Sequence, residues 1–226
     1  HKGMEESQYL KIMQKNCYRL LRLVNNLIDI TKIDSNYYEI RPQNYNIIGL
    51  VKGITGSVAE YAMKRGIYII FDTNVEEKVI ACDPDQIERI ILNLLSNAIK
   101  FTHRGGSIWV KILDKGKKLK ISIKDTGIGI PGDKQAGIFN RFQQVDKSLT
   151  RQHEGSGIGL SLVKALVEKH GGRISLNSEF GKGTEFIIEI PCNTLRELES
   201  KSGISKNFAN HSYTEKINIE FSDIYS

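Results

Sequence analysis

Asn93, Asn97 and Lys100 lie within residues 83–102, DPDQIERIILNLLSNAIKFT. Their spacing of four and three puts them on one stripe of a helix, and Gln86 and Arg89 extend that stripe. Asn is a poor helix former, because its side chain competes for nearby backbone groups. Two Asn at i and i+4 followed by a Lys are an odd choice for a face that only meets water. The plain reading, the wet side of an amphipathic helix, is not excluded by this stretch alone. Three glycine stretches follow. Asp125-Thr126-Gly127-Ile128-Gly129-Ile130-Pro131 comes directly after a β-type run. A carboxylate there can accept a hydrogen bond from an amino group such as that of adenine, while the glycines let a ligand approach the backbone. Gly155-Ser156-Gly157-Ile158-Gly159-Leu160 runs into a helix, whose N–H groups and N-terminus favour phosphate. The third stretch is Gly181-Lys182-Gly183-Thr184.

Each glycine stretch alone is weak, since Gly-x-Gly occurs in many turns. The second lacks the G-x-G-x-x-G spacing of a dinucleotide fold, and no G-K-[ST] follows it as in a Walker loop. What is specific is the order: Asn helix, Asp-x-Gly-x-Gly, Gly-x-Gly-x-Gly, Gly-x-Gly-Thr.

The elements that must position these residues are readable from pattern. Asp83 and Gln86 have capping-box spacing and Pro84 falls at the first helical position, so a helix starts there. Ile87, Ile90, Ile91, Leu94, Leu95 and Ala98 give it an apolar face. Upstream, Leu10, Met13, Cys17, Leu20, Val24, Leu27 and Thr31 alternate steps of three and four, a coiled-coil-like seam on a long helix from Tyr9 to about Ile33. Leu21 and Ile28 widen it toward a bundle face. One helix cannot bury its own stripe, so it needs a partner. Residues 46–64 read as a second amphipathic helix. Residues 37–45, 67–72 and 78–82 read as strands or strand entries. Residues 108–113 and 119–124 flank a solvated basic hairpin. A short helix is expected near 136–142 and another at 159–170, stopped by Gly171-Gly172. Residues 174–176 and 185–190 complete the strands. Beyond Pro191 the chain is polar and aperiodic. Ile217, Ile219, Phe221 and Ile224 could form one short docking strand there.

Composition bounds the rest. An apolar share of 40% in 226 residues supports a real core. No apolar run of about 18 residues is present, so no membrane span is expected, and no signal peptide is visible. Three cysteines without C-x-x-C spacing read as free thiols in a reducing compartment. A net charge of +6 suits an anionic ligand such as a nucleotide without singling out nucleic acid.

Taken together, the Asn helix and the glycine stretches resemble the N, G1, G2 and G3 boxes of sensor histidine kinases. Ile138-Phe139-Asn140-Arg141-Phe142 is similar to their F box, and the first helix looks like the second helix of their dimerisation and phosphoacceptor hairpin. The resemblance spans roughly residues 9–191. It implies an α+β fold: a two-layer α/β sandwich of the Bergerat type, with helices on one face of a mixed sheet, preceded by one long helix. The implied division is a hairpin helix in 1–36, an ATP-binding catalytic domain in 37–191 and a polar tail in 192–226. ATP and Mg²⁺ are the implied cofactors. Asn97 would help hold Mg²⁺ bridging the phosphates, Asn93 would support that face, and Lys100 would contact phosphate. Asp125 would accept from the adenine amino group, with Gly127 and Gly129 lining the base. Residues 132–154 would form a lid. Gly155, Gly157, Ile158, Gly159 and Leu160 would close over the phosphates, and Thr184 would reach the adenine end.

In that family the γ-phosphate passes to a hairpin His and then to an Asp of a response regulator. The five histidines here, His1, His103, His153, His170 and His211, include no convincing acceptor. His153-Glu154 mimics one, but it falls in the expected lid. The acceptor and the first hairpin helix are therefore expected outside this sequence. A response-regulator receiver domain and a second copy of the chain are the expected partners, and nucleic acid is not. The expected location is cytoplasmic, with attachment of a longer protein to the inner face of the cell membrane left open. Competing readings are an ATP-hydrolysing relative, a serine-phosphorylating regulator and a nucleotide-binding scaffold without catalysis. The ATPases place a Glu one turn before the metal-binding Asn. Asn93 stands there in this chain and cannot act as a base at neutral pH.

Overall fold

The computed structural model describes residues 2–141, 157–195 and 213–222. The central helix is α3, Pro84–Phe101. Asp83 caps it: its Oδ1 accepts from Gln86 N at 3.3 Å and its Oδ2 from Arg41 N at 2.9 Å. Only half of the expected capping box forms. Gln86 turns away, and its Oε1 accepts from the Tyr38 hydroxyl at 2.6 Å. Ile90, Ile91, Leu94 and Leu95 are buried along its apolar face. Each such burial stabilises by about 1.5–3 kcal/mol.

That face lies on a five-stranded sheet of β2 (Tyr68–Thr73), β4 (Ser107–Asp114), β5 (Lys118–Asp125), β7 (Gly183–Pro191) and β6 (Arg173–Glu179), in that order. β2 and β4 are parallel and the other pairs antiparallel, so the sheet is mixed. A parallel pair needs a crossover, and α3 lies within that connection. Alternation sets the two faces. In β4, Ile108, Val110 and Ile112 are buried under the helices, whereas Trp109 and Lys111 face outward. Helices α2 (Ile47–Lys64) and α5 (Gly159–Lys169) flank α3 in the helical layer. β1 (Gln43–Asn46) and β3 (Val79–Cys82) form a separate antiparallel pair. This is the two-layer sandwich with a mixed sheet that the sequence implies.

Helix α1, Lys2–Asp34, precedes it. Ile30 and Asn26 are buried against the domain, whereas Leu10, Met13, Leu20, Val24 and Leu27 of the seam are exposed. Two expectations change. The helix placed at 136–142 is instead a single turn, α4 (Gly132–Gln135), followed by turns through Arg141. Gly132, Asp133 and Lys134 carry no apolar period that could have marked it. The segment holding Ile217, Ile219 and Phe221 is not a strand. It is helix α6, Tyr213–Glu220, with Ile217 and Phe221 buried. These two residues share one face at either period, being four apart, so their spacing alone does not separate helix from strand; Ile219, which a strand would set beside them, is only half-buried.

Candidate functional site

Asp125 ends β5 beneath the first glycine stretch and is only 5% exposed. Its Oδ1 accepts from Gly127 N at 2.8 Å and from Thr184 N at 3.2 Å. Its Oδ2 accepts nothing from the described residues. Burial pushes this carboxyl up from its ordinary range, and the two backbone donors act the other way. A buried carboxylate with one oxygen held and the other still available is suited to a ligand that donates.

The loops around Asp125 are held without slack. Gly181 N donates to Ile128 O at 2.7 Å, and Ile128 N to Phe101 O at 3.1 Å. A Cβ on Gly129 (φ +66) would meet Glu179 O at 2.0 Å, and one on Gly183 (φ +112) would meet Asp125 O at 2.1 Å. Glycine is required at both positions by space and by backbone conformation. Gly127 is excluded from bearing a side chain by Phe101 O, 2.3 Å from its ideal Cβ.

The polar stripe of α3 lies next to this loop cluster. Asn93 and Lys100 are buried and Asn97 is half-buried. Asn97 Nδ2 donates to Asn93 Oδ1 over a long 3.4 Å. The Lys100 ammonium sits over the Phe101 ring, 5.4 Å from its centroid. Gly159 opens α5 against Asn93, whose amide nitrogen is 2.8 Å from where a Cβ would stand. Gly157 holds a positive φ of 68 just before it. Ile158 is buried and Leu160 half-buried. Thr184 is buried beside Asp125. Gly155, His153 and most of the expected lid lie outside the described residues, as does Phe142 of the F-box-like segment. Of that segment, Phe139 packs edge-on against Phe186, with ring centroids 6.3 Å apart.

Three residues that the motifs did not single out hold this arrangement. Ser178 Oγ accepts from Ile130 N at 2.9 Å, donates to Gly183 O at 3.0 Å and meets Thr184 Oγ1 at 3.0 Å. Gln135 Nε2 donates to Ile130 O and Ser178 O, at 2.8 and 2.9 Å. Glu220 of α6 is buried, and its backbone carbonyl accepts from Ser96 Oγ of α3 at 3.0 Å. Burial raises the Glu220 pKa, while Arg22, Arg89 and Asn93 oppose that rise. The contacts from Ser178 to Ile130, from Gln135 to Ser178 and from Ser96 to Glu220 span 48, 43 and 124 residues, and no local spacing signals them.

Among the described residues no cluster of three or more His, Cys, Asp or Glu is arranged to hold a metal, and no helix is long and apolar enough to cross a membrane.

Comparison with known proteins places this geometry. The family model described as histidine kinase-, DNA gyrase B- and HSP90-like ATPase matches residues 82–194. The chain is 34% identical over 209 residues to the circadian input-output histidine kinase CikA of Synechococcus elongatus, covering 91% of this chain and 28% of that protein. It spans about a third or less of other similar curated relatives. Among solved structures, full-length ShkA in complex with AMPPNP superposes with a TM-score of 0.73 at 29% identity, over 84% of this chain and 40% of that one. The histidine kinase ThkA in complex with the response regulator TrrA superposes with a TM-score of 0.63 at 25% identity, over 82% of this chain and 51% of that one.

Proposed function

The chain belongs to the family of histidine kinase-, DNA gyrase B- and HSP90-like ATPases and carries a sensor histidine kinase ATP-binding domain; from that premise we propose that it is the catalytic core that binds Mg-ATP and donates the γ-phosphate to a histidine outside this sequence. The buried Asp125 carries the reading. Its Oδ1 is fixed by two backbone N–H groups and its Oδ2 accepts nothing from the described residues, which suits the exocyclic amino group of adenine. Gly127, Gly129 and Thr184 shape the base end of the site.

The donor set on α3 fits the phosphate end. Asn97 supplies an amide oxygen for Mg²⁺, a hard cation that prefers oxygen and binds with substrate phosphates. Lys100 supplies a positive charge, and Gly157, Ile158, Gly159 and Leu160 lead into the N-terminus of α5. When bound, Mg²⁺ would neutralise phosphate charge. The chain's own residues position the nucleotide, which is most of what phosphoryl transfer asks of a protein. Asn93 serves as support, since its amide oxygen already accepts from Asn97.

The exposed seam of α1 is read as one face of a bundle with a second copy of the chain, 1–36 being the hairpin helix and 37–191 the catalytic domain. A response-regulator receiver domain is the proposed recipient of the phosphate from the acceptor histidine. The test is incubation with γ-labelled ATP and Mg²⁺, with this chain alone and with an upstream helix bearing a histidine added. Acid-labile, base-stable label that appears only with the added helix, and passes to a receiver domain, is the expected result. Steady phosphate release without protein label would contradict the kinase reading.

A further inference from the structure

The face of the sheet that carries the helices ends in a row of polar residues. Asp125 on β5 pairs with Ile108, which lies under the helices. Thr184 on β7 stands beside it, its N–H donating to Asp125 Oδ1 at 3.2 Å, and Ser178 on β6 is opposite Thr184 in the register. The next row on the same face, Ile123, Phe186 and Leu176, is apolar. The polar residues are thus confined to the end of the sheet where the first glycine stretch begins.

Hydrogen counting fixes how this row can bond. A serine or threonine hydroxyl has one hydrogen and two lone pairs. Ser178 Oγ lies 3.0 Å from Gly183 O, and a carbonyl only accepts, so the Ser178 hydrogen goes there. Ile130 N, a donor, takes one Ser178 lone pair at 2.9 Å. The other lone pair is left for Thr184 Oγ1 at 3.0 Å. With the Ser178 hydrogen already placed, Thr184 is the donor of that contact. The Thr184 hydroxyl therefore points its only hydrogen into the sheet. It keeps lone pairs alone for a ligand, and no described residue donates to it. Gln135 holds the pieces in place, since its Nε2 donates to both Ile130 O and Ser178 O.

Asp125 Oδ2 and Thr184 Oγ1 then form a corner that offers acceptors only. The exocyclic amino group of adenine has two hydrogens to give such a corner. Guanine carries a carbonyl oxygen at that position and would face acceptors without a donor. A threonine hydroxyl free to rotate could instead turn its hydrogen to that oxygen.

We propose that Ser178 is a positioning residue for purine discrimination: by taking the Thr184 hydroxyl hydrogen it holds Thr184 as an acceptor, and so helps the site reject a nucleotide that bears an oxo group in place of the adenine amino group. The proposal rests on the reading of Asp125 and Thr184 as the adenine end of the site. It gives Ser178, which lies in none of the glycine stretches, a part in substrate choice.

The test is titration of Mg-ATP and Mg-GTP into the whole chain, as the parent, Ser178→Ala, Ser178→Thr, Thr184→Val and the double variant Ser178→Ala with Thr184→Val. The parent should prefer ATP. Ser178→Ala should lower that preference about tenfold, mainly by a gain for GTP, because the released Thr184 hydroxyl can donate. Ser178→Thr keeps a hydroxyl at the position and should keep the preference. Thr184→Val has no hydroxyl to release, so adding Ser178→Ala to it should leave the ratio unchanged. A Ser178→Ala chain that keeps the parent's ratio would overturn the proposal, including one that binds both nucleotides equally more weakly, which marks a tie to the Ile130 loop and no more. So would a Thr variant that behaves like Ala, or a double variant whose ratio falls below that of Thr184→Val alone. Each of these leaves the adenine reading standing. A parent that binds neither nucleotide, or both alike, would remove that reading and the proposal with it.

Discussion

At the residue scale, Asp125 makes a prediction about pH. Burial raises its folded pKa above the unfolded value. Its favourable contribution to stability is therefore complete below the unfolded pKa and is lost as pH rises through the folded pKa. The ionised form is the stronger acceptor for adenine, so ATP affinity should rise across the same window, just above the ordinary carboxylate range. Asp125→Asn should flatten both profiles. Denaturant midpoints and nucleotide titrations at several pH values check this, and parallel rather than opposed trends in the parent would contradict it. The glycines make a second prediction. Gly129→Ala combines a positive φ with a carbonyl 2.0 Å from the new Cβ, whereas Gly116 (φ +77) has nothing within 4 Å. The first should cost about 3 kcal/mol and the second about 1 kcal/mol. Equal midpoints for the two variants would show that the loop yields freely. These positions were legible because a carboxylate at a strand end followed by Gly-x-Gly is a local pattern. Ser178 and Gln135 were not, since their partners lie up to 48 residues away and neither sits in a distinctive run.

At the element scale, α1 and α6 behave oppositely. The seam of α1 is exposed, Leu20 at 62% and Leu27 at 52%, so paired Leu20→Asp and Leu27→Asp changes should leave the domain's midpoint within about 0.5 kcal/mol. The same pair should abolish self-association, read by sedimentation. Unchanged association would contradict the bundle reading of α1. Phe221→Ala empties a fully buried site and should cost about 3–5 kcal/mol. A negligible cost would mean that α6 does not pack as described. The sequence made the first of these helices plain and misread the second. The seam of α1 repeats over seven positions, and periodicity needs that length. Helix α6 spans only 8 residues, and its burial depends on Tyr61, Arg22 and Glu88, far away in the chain. The α3 helix was legible for the reason that α1 was, with a cap and proline added. The expected reach-back of Gln86 fails: its Oε1 takes the Tyr38 hydroxyl, and the Asp83 N–H donates to His170 Nε2 instead.

At the scale of the whole molecule, the long helix and the nucleotide domain are tied at several points. Arg89 of α3 pairs with Asp29 and donates to Asn26 Oδ1 at 2.8 Å, Arg141 pairs with Asp34, and Arg22 reaches α6. The α3 helix thus carries the core on one face and, on the other, the groups proposed for phosphate and metal, with the proposed adenine end where its C-terminal turn meets the first glycine stretch. The measurement that tests this account most directly is a titration of ATP against GTP, with Mg²⁺ present, into the parent and into Asp125→Asn. Adenine offers an amino hydrogen where guanine offers a carbonyl oxygen. The parent should bind ATP at least tenfold more tightly than GTP, the order expected when a buried carboxylate loses its donor, and Asp125→Asn should lose most of that preference. A parent that binds both equally, or a variant that keeps the full preference, would contradict the assignment of Asp125 and the nucleotide site built around it.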